Sequence, residues 1–180
     1  MSSIEKNSVL ERRIDSLLTD EITINFGPQH PSTHGVLRLE AKASGEVITA
    51  ITPHLGYLHR GVEKNLESKE FLQGIPLLDR CDYLSSMFNS YIMAACVEEL
   101  TEIEVPRRAE WIRVVAMELN RIASHLLWWG TFCLDLGATS PLLYAFRDRE
   151  DVIDLLELIS GARLLYNYIR PGGVRGDVTP

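Results

Sequence analysis

The hydrophobic and polar positions in the first third of the chain alternate with the period of two that is typical of β-strands. The stretch "EITINF" alternates in this way, and "GVLRLEAKASGEVITAITP" contains two further runs separated by a turn at Ser44 and Gly45. We therefore predict a small antiparallel sheet over residues 21–55. A short amphipathic segment is predicted before it, within residues 1–20, with one apolar stripe formed by Leu10, Ile14 and Leu17.

From Gly56 onwards the apolar positions follow helical spacing instead. One helix is predicted behind Asp82, a favoured N-cap residue, with apolar positions at Tyr83, Met87, Tyr91 and Ala94. Pro106 is predicted to open a long helix at the centre of a bundle, since its missing N–H costs nothing at a helix start. The apolar stripe of this long helix consists of Ile112, Val115, Leu119, Ile122 and Leu126, and Trp111, Val114 and Ala123 widen it beyond one face.

A last helix is predicted from an N-cap at Asp148 to a glycine stop at Gly161. The stretch that follows, "YIRPGGVRGDVTP", is loop-like, and no further element is predicted after it. The whole pattern predicts an α+β fold, in which the small N-terminal sheet packs against a helical bundle over residues 56–180. We expect this bundle to be incomplete at the C-terminus.

Composition and charge narrow the class of protein. The chain has 180 residues, of which 46% are hydrophobic, so it can bury a sizeable core. Its net charge of -7 and pI near 5.2 argue against a nucleic-acid partner. The N-terminus mixes both signs of charge without an apolar core, so it resembles neither a secretory signal nor a membrane anchor. We therefore expect a chain that starts in the cytoplasm.

The three cysteines, Cys81, Cys96 and Cys133, are widely spaced and odd in number. This pattern indicates neither a disulfide framework nor a Cys-x-x-Cys metal site. We expect them to be reduced residues of the core, and we expect no ligands for an iron–sulfur cluster in this chain.

The loop "GPQHPSTHG" carries His30 and His34, two of the five histidines. Pro31 between them, with Gly27 and Pro28 before them, denies the stretch a helix, so two histidines on one helical face are not available for zinc. A hydrolase is not favoured either, because the chain has no Gly-x-Ser-x-Gly elbow. The residues alone favour histidines that tie down a turn through hydrogen bonds to the backbone.

Six motifs, in this order and at this spacing, resemble those of one known family. They are "GPQHPSTHGVLRL", "GYLHRGVEK", "DRCDYLSS", "PRRAEWIRVVAMELNRIASHLL", "DLGATSPLLYAFRDRE" and "YIRPGGV". The family is the quinone-site D subunit of bacterial respiratory complex I, the proton-pumping NADH:quinone oxidoreductase. The resemblance implies that the chain corresponds to the N-terminal half of that subunit.

This family is related to the large subunit of nickel–iron hydrogenases, whose metal is held by paired Cys-x-x-Cys motifs. In "RCDYLS", Asp82 and Ser85 stand at the positions of the lost thiolates, and Cys81 is one place out of register. A carboxylate and a hydroxyl do not replace soft thiolates around nickel. The resemblance therefore implies no metal in this chain, and a cavity that takes the quinone headgroup instead.

The resemblance also assigns roles to individual residues. It implies that His34 and Tyr83 hydrogen-bond the two quinone carbonyls and that Asp135 pairs with that histidine. Such donors suit a reaction in which the reduced quinone oxygens must be protonated. His30 is expected to order the loop, and His125 on the long helix is expected to be a satisfied core histidine.

Electrons must come from elsewhere. The resemblance implies a 4Fe-4S cluster in the neighbouring B subunit, with Arg60 and Arg80 close to it, although a surface or interface salt bridge would explain either arginine equally well. It further implies NAD at a distant subunit, the B and C subunits and the membrane arm as partners, and a peripheral position on the cytoplasmic face of the bacterial inner membrane.

Leu165 departs from the family pattern, because most relatives carry a histidine two residues after the arginine of "GAR". In the family that histidine couples the potential of the cluster to pH, so the resemblance does not imply this coupling for the present chain. Two other functions remain open. One is a structural scaffold without redox function, and the other is the paralogous subunit of a membrane-bound, hydrogenase-like complex that uses ferredoxin.

Overall fold

The computed structural model describes residues 21–33 and 35–178, which fall into two units with a boundary between Arg60 and Gly61. The amphipathic segment predicted within residues 1–20 lies outside the described residues.

The first unit contains a three-stranded antiparallel sheet in the order β1-β2-β3, as the alternating pattern predicts. Its strands are β1 (Ile22–Phe26), β2 (Arg38–Ser44) and β3 (Val47–His54). Ile24 of β1 pairs with Ala41 of β2, which pairs in turn with Ile51 of β3. Because side chains alternate across a pleated strand, these three apolar residues share one face, at the centre of which Ala41 is buried.

The second unit is mostly helical. Its helices are α1 (Val62–Leu66), α2 (Phe71–Leu78), α3 (Ser86–Thr101), α4 (Arg107–Asp135) and α5 (Thr139–Ser160). A hairpin of two short strands, β4 (Ile169–Arg170) and β5 (Gly173–Val174), follows them where the sequence predicts only a loop. The sheet and the helices together confirm the α+β class.

Two predicted helix starts are wrong. The helix expected behind Asp82 begins at Ser86, because the Asp82 carboxylate accepts a hydrogen bond from Leu84 N (3.2 Å) and its carbonyl accepts one from Ser85 N (3.1 Å). An aspartate that bonds its own nearby backbone in this way closes a turn instead of capping a helix. Tyr83 therefore lies in a turn before α3 and not in its first helical turn.

The start predicted at Asp148 is also wrong, because α5 begins nine positions earlier, at Thr139. Pro141 lies in its first turn, where a missing N–H breaks no helical hydrogen bond. The two remaining boundaries are confirmed: α4 begins directly after Pro106, and α5 ends at Gly161, whose φ of 77° suits glycine.

The buried face of α4 coincides only in part with its predicted apolar stripe, of which Ile112 and Leu119 pack half-buried against the core. Val115 and Ile122 of the predicted stripe are 57% and 48% exposed, whereas Ala123, which is predicted to widen the stripe, and Ala116, which is not part of it, are buried. Small residues let the neighbouring helix approach closely, and a Cβ atom added at Gly130 would lie 3.1 Å from Ala145 Cβ of α5. The prediction from periodicity is therefore wrong for Val115 and Ile122, because close packing and polar partners, as well as side-chain hydrophobicity, select this face.

The buried Arg113 explains the position of the hairpin. Arg113 forms an ion pair with Glu98 of α3, and its Nε and Nη2 atoms donate to the carbonyls of Gly173 (3.0 Å) and Arg170 (2.8 Å). Glu98 also accepts a hydrogen bond from Gly172 N at 2.8 Å. Burial alone would raise the pKa of Glu98, but hydrogen bonds from Arg113 and Gly172 and the charge of Arg113 lower it below its ordinary value. This clamp holds β4 and β5 against α3 and α4.

Arg113→Ala is expected to lower the free energy of unfolding by about 3–5 kcal/mol, because it leaves Glu98 buried without its counter-charge. Urea denaturation followed by circular dichroism measures the effect. Arg121→Ala is the matched control on the same helix, since it removes an exposed pair with Glu118 and a cation–π contact with Phe88 (4.9 Å) but no buried charge, and it should cost less than about 2 kcal/mol. Equal losses in the two variants would contradict the clamp.

Candidate functional site

The turn between α2 and α3 carries two of the predicted site residues, Arg80 and Tyr83, and both are exposed. Tyr83 is 56% exposed, so its hydroxyl is accessible. The Arg80 guanidinium donates to Pro76 O of α2 at 2.7 Å. The turn thus presents a phenol and a cation on one short segment.

Asn120 of α4 fixes the end of this turn from outside it. Its Nδ2 atom donates to Leu84 O at 3.0 Å, and its Oδ1 atom accepts a hydrogen bond from Met87 N at 3.2 Å. The amide of Met87 lies in the first turn of α3, where N–H groups have no partner within the helix. Asn120 therefore caps α3 across the bundle. Sequence reasoning missed it, although an uncharged polar residue among apolar positions of a long helix is a usable signal.

The start of the turn is fixed by Asp79, which is fully buried. Its carboxyl group is hydrogen-bonded to Ser90 of α3 and accepts a hydrogen bond from Asn167 N at 2.9 Å. Burial raises the pKa of Asp79 above its ordinary value, although both hydrogen bonds and the charge of Arg80 act in the opposite direction. Sequence reasoning missed this residue as well, because nothing local in "LLDRCDY" distinguishes Asp79 from Asp82.

The other predicted residues lie in different places. Asp135 is exposed and is the last residue of α4, ahead of a loop in which Gly137 has a φ of 88°. Arg60 is exposed at the boundary of the first unit. His34 lies outside the described residues, so its pairing with Asp135 stays a prediction.

The described residues around His30 are held by local contacts. Thr33 Oγ1 donates to His30 O at 2.9 Å, and residues 31–33 form a 3-10 turn, not an α-helix. A Cβ atom at Gly27, where φ is 86°, would lie 1.9 Å from Leu37 O, so this position accepts only glycine. His30 itself bridges to Gly35 through the backbone and packs edge-on against Phe26 at 5.6 Å.

Several expectations about the core are wrong. His125 is exposed on α4 and not part of the core. Cys81 and Cys96 are exposed free thiols, and Cys133 is only half-buried. Leu165 is half-buried in the left-handed region, with a φ of 57°.

Other features of the described residues do not extend the candidate site. No three His, Cys, Asp or Glu side chains in residues 21–33 and 35–178 lie together as a metal site would require. None of the helices in that part of the chain is long and apolar enough to span a membrane. An open apolar groove of about 540 Å³ beside Trp111 and Ile159 includes none of the predicted site residues.

Comparisons with known proteins show which proteins this chain is similar to. Residues 135–180 match the family described as "Respiratory-chain NADH dehydrogenase, 49 Kd subunit". The D subunit of NADH-quinone oxidoreductase from Geobacillus thermodenitrificans (strain NG80-2) is 61% identical over 161 residues, which cover 89% of this chain and 44% of that protein. The D subunit from Bacillus mycoides (strain KBAB4) is 58% identical over 159 residues, or 88% of this chain and 43% of that protein.

These matches confirm the resemblance to the complex I family, and the chain fits a partial D subunit. It spans less than half the length of the curated relatives that it matches.

Asn120→Ala is expected to destabilise the second unit by about 1–3 kcal/mol, because it leaves Leu84 O and Met87 N without a partner. Chemical denaturation measures the loss, and hydrogen exchange at Met87 should accelerate more than exchange at the centre of α3. Glu118→Ala, a change of an exposed side chain on the same helix, is the control. Unchanged exchange at Met87 would show that Asn120 does not cap α3.

Proposed function

We propose that this chain forms part of the quinone headgroup site of NADH:quinone oxidoreductase. One observation carries the proposal: Tyr83 is an exposed phenol on a turn held at both ends by buried polar groups, in a chain 61% identical to a D subunit over 161 residues. A fixed, accessible hydroxyl is what a positioned proton donor needs.

Reduction of a quinone to a quinol takes two electrons and two protons. A 4Fe-4S cluster of the neighbouring B subunit would supply the electrons. Tyr83 Oη–H donates to one quinone carbonyl, and the imidazole of His34 donates to the other. Each donor stabilises the negative charge that develops on the quinone oxygen to which it is hydrogen-bonded, and it can then give its proton to that oxygen.

Asp135 pairs with His34 in this proposal, and the pairing has a chemical purpose. A carboxylate next to an imidazole fixes one tautomer and favours the protonated ring, so the ring can be reloaded after each turnover. Arg60 and Arg80 act at a greater distance: a cation close to the cluster favours its reduced form.

The remaining assignments follow from the same proposal. The partners are the B and C subunits and the membrane arm, NAD reacts at a distant subunit, and the chain lies peripherally on the cytoplasmic face of the bacterial inner membrane. The cluster is not held by this chain, since Cys81, Cys96 and Cys133 are separated along it.

Tyr83→Phe in the assembled complex should lower quinone reduction by about 1–3 kcal/mol of transition-state stabilisation, because it removes one hydroxyl and keeps the ring. Reduction of the cluster by NADH lies upstream and should persist, which shows that assembly is intact. Tyr144→Phe is the matched control, as Tyr144 is similarly exposed at 58% but lies on α5. The assignment fails if both variants reduce quinone at the unmodified rate.

His34→Ala should reduce activity more than Tyr83→Phe does, because it removes a donor and also deprives Asp135 of its partner. Asp135→Asn should be intermediate, since the imidazole remains but loses its counter-charge. His30→Ala should chiefly raise the apparent KM for quinone, as His30 orders the loop. Quinone titrations of the three variants, with cluster reduction by NADH as the assembly control, distinguish these outcomes, and a His30→Ala loss exceeding that of His34→Ala would reverse the roles.

A further inference from the structure

Asp79 is a buried carboxyl group that the proposed chemistry does not use. It follows the last residue of α2, where its backbone N–H donates to Ile75 O at 3.0 Å, and it is 0% exposed. Its side chain contacts Ser90 of α3 through Oδ1 and the backbone of Asn167 through Oδ2. Three segments that are distant in sequence therefore meet at this one group.

Counting protons shows which form of the carboxyl group fits. Ser90 has a single hydroxyl proton, but its Oγ atom lies within hydrogen-bonding distance of both Asp79 Oδ1 and Ser86 O, the latter at 2.9 Å. An ionised Asp79 would compete with Ser86 O for that proton. A neutral acid removes the competition, because it donates to Ser90 Oγ while Ser90 donates to Ser86 O. Asn167 N–H still donates to Oδ2, at 2.9 Å.

A negative charge at this position would lack a balancing cation. Within the part of the chain that the structure describes, Asp79 belongs to no ion pair. Arg80 is the charged neighbour that acts on it, yet its guanidinium is exposed and donates to Pro76 O. The groups that face Asp79 from α3 and from the segment after α5 are the Ser90 hydroxyl and the Asn167 amide, neither of which carries charge. A buried, unpaired carboxylate is costly, and protonation relieves that cost.

We propose that Asp79 is a positioning residue, held as a neutral carboxylic acid that donates to Ser90 and thereby fixes the start of the Arg80–Ser85 turn. The turn carries Tyr83, so the relevance of Asp79 to quinone reduction rests on the function proposed above. The protonation of Asp79 does not rest on that function, so the protonation and the role in quinone reduction can be tested separately.

Asp79→Asn is the informative substitution on the chain of 180 residues. Asparagine has the same shape as a neutral acid: its NH2 group can donate to Ser90 Oγ and its oxygen can accept from Asn167 N–H. It should therefore preserve stability at the pH where the acid is neutral. Asp79→Ala should be destabilising at every pH, because it leaves both partners unsatisfied.

The pH dependence of stability has a definite sign. Since the pKa of Asp79 is raised in the folded state, the stability that the acid contributes is fully present below its unfolded pKa of about 3.9 and is lost as pH rises through the folded pKa. The unfolding constant of the unmodified chain should rise relative to that of Asp79→Asn by up to about tenfold per pH unit in that interval. Asp151→Asn, an exposed change on α5, should show no such relative rise.

Infrared difference spectroscopy detects the proton directly. A carboxylic C=O band should persist at pH values above the ordinary aspartate pKa of about 3.9, shift in D2O, and disappear in Asp79→Asn but not in Asp151→Asn. Absence of this band would overturn the proposal that Asp79 is a neutral acid. An unfolding constant of the unmodified chain that rises relative to that of Asp79→Asn as pH falls would overturn it as well.

Kinetics of the assembled complex test the positioning role. Asp79→Ala should raise the apparent KM for quinone by a larger factor than it lowers kcat, and Asp79→Asn should restore the KM of the unmodified complex. An unchanged KM in Asp79→Ala would overturn positioning. If instead Tyr83→Phe reduces quinone at the unmodified rate, the proposed function fails while the infrared and stability results on Asp79 stand.

Discussion

The second unit depends on one constraint, which is that the guanidinium of Arg113 is buried and cannot lose its charge. Every donor of that group needs a partner within the protein, and the partners come from Glu98 and from the carbonyls of the β4–β5 hairpin. Satisfying Arg113 therefore requires the hairpin to lie against α3 and α4. The segment between α5 and the hairpin is fixed at both ends as a result.

That fixed segment connects the clamp to the candidate site. It contains Asn167, whose backbone N–H reaches the buried Asp79. Asp79 holds the beginning of the turn with Tyr83, and Asn120 holds its end. The turn with the exposed phenol is thus held by buried polar contacts with three parts of the chain: Ser90 of α3, Asn167 and Asn120 of α4. The phenol itself contributes nothing to the core. An arrangement of this kind suits a residue whose position matters more than its packing.

The sequence predicts those parts of the fold that local chemistry decides. Strict alternation predicts the sheet, Pro106 predicts the start of α4, and Gly161 predicts the end of α5. The burial of Arg113 on α4 could not be predicted in this way. Arg113 is buried because it donates hydrogen bonds to backbone carbonyls 57 and 60 positions away. The spacing of apolar residues along α4 contains no information about those carbonyls.

The same distinction applies to the candidate site. Tyr83 and Asp135 are recognisable only through whole-motif resemblance, because an exposed tyrosine in a turn or an aspartate at a helix end is unremarkable by pattern alone. Asp79 and Asn120 are distinguished from similar residues only by their hydrogen bonds in the folded chain. The residues that carry the proposed chemistry are therefore visible in the sequence, whereas those that hold them in place are defined by the fold.

The bond between Asp79 and Asn167 spans 88 positions, which bears on how the protein is made. At a synthesis rate of about 5–20 residues per second, the ribosome adds Asn167 about 4–18 s after Asp79. During that interval α2 and the beginning of α3 exist without the Asn167 N–H group, from which Asp79 accepts a hydrogen bond in the folded protein. The turn that presents Tyr83 therefore cannot reach its final form while the chain is being extended through α4 and α5, so an N-terminal fragment released before Asn167 would lack an ordered site.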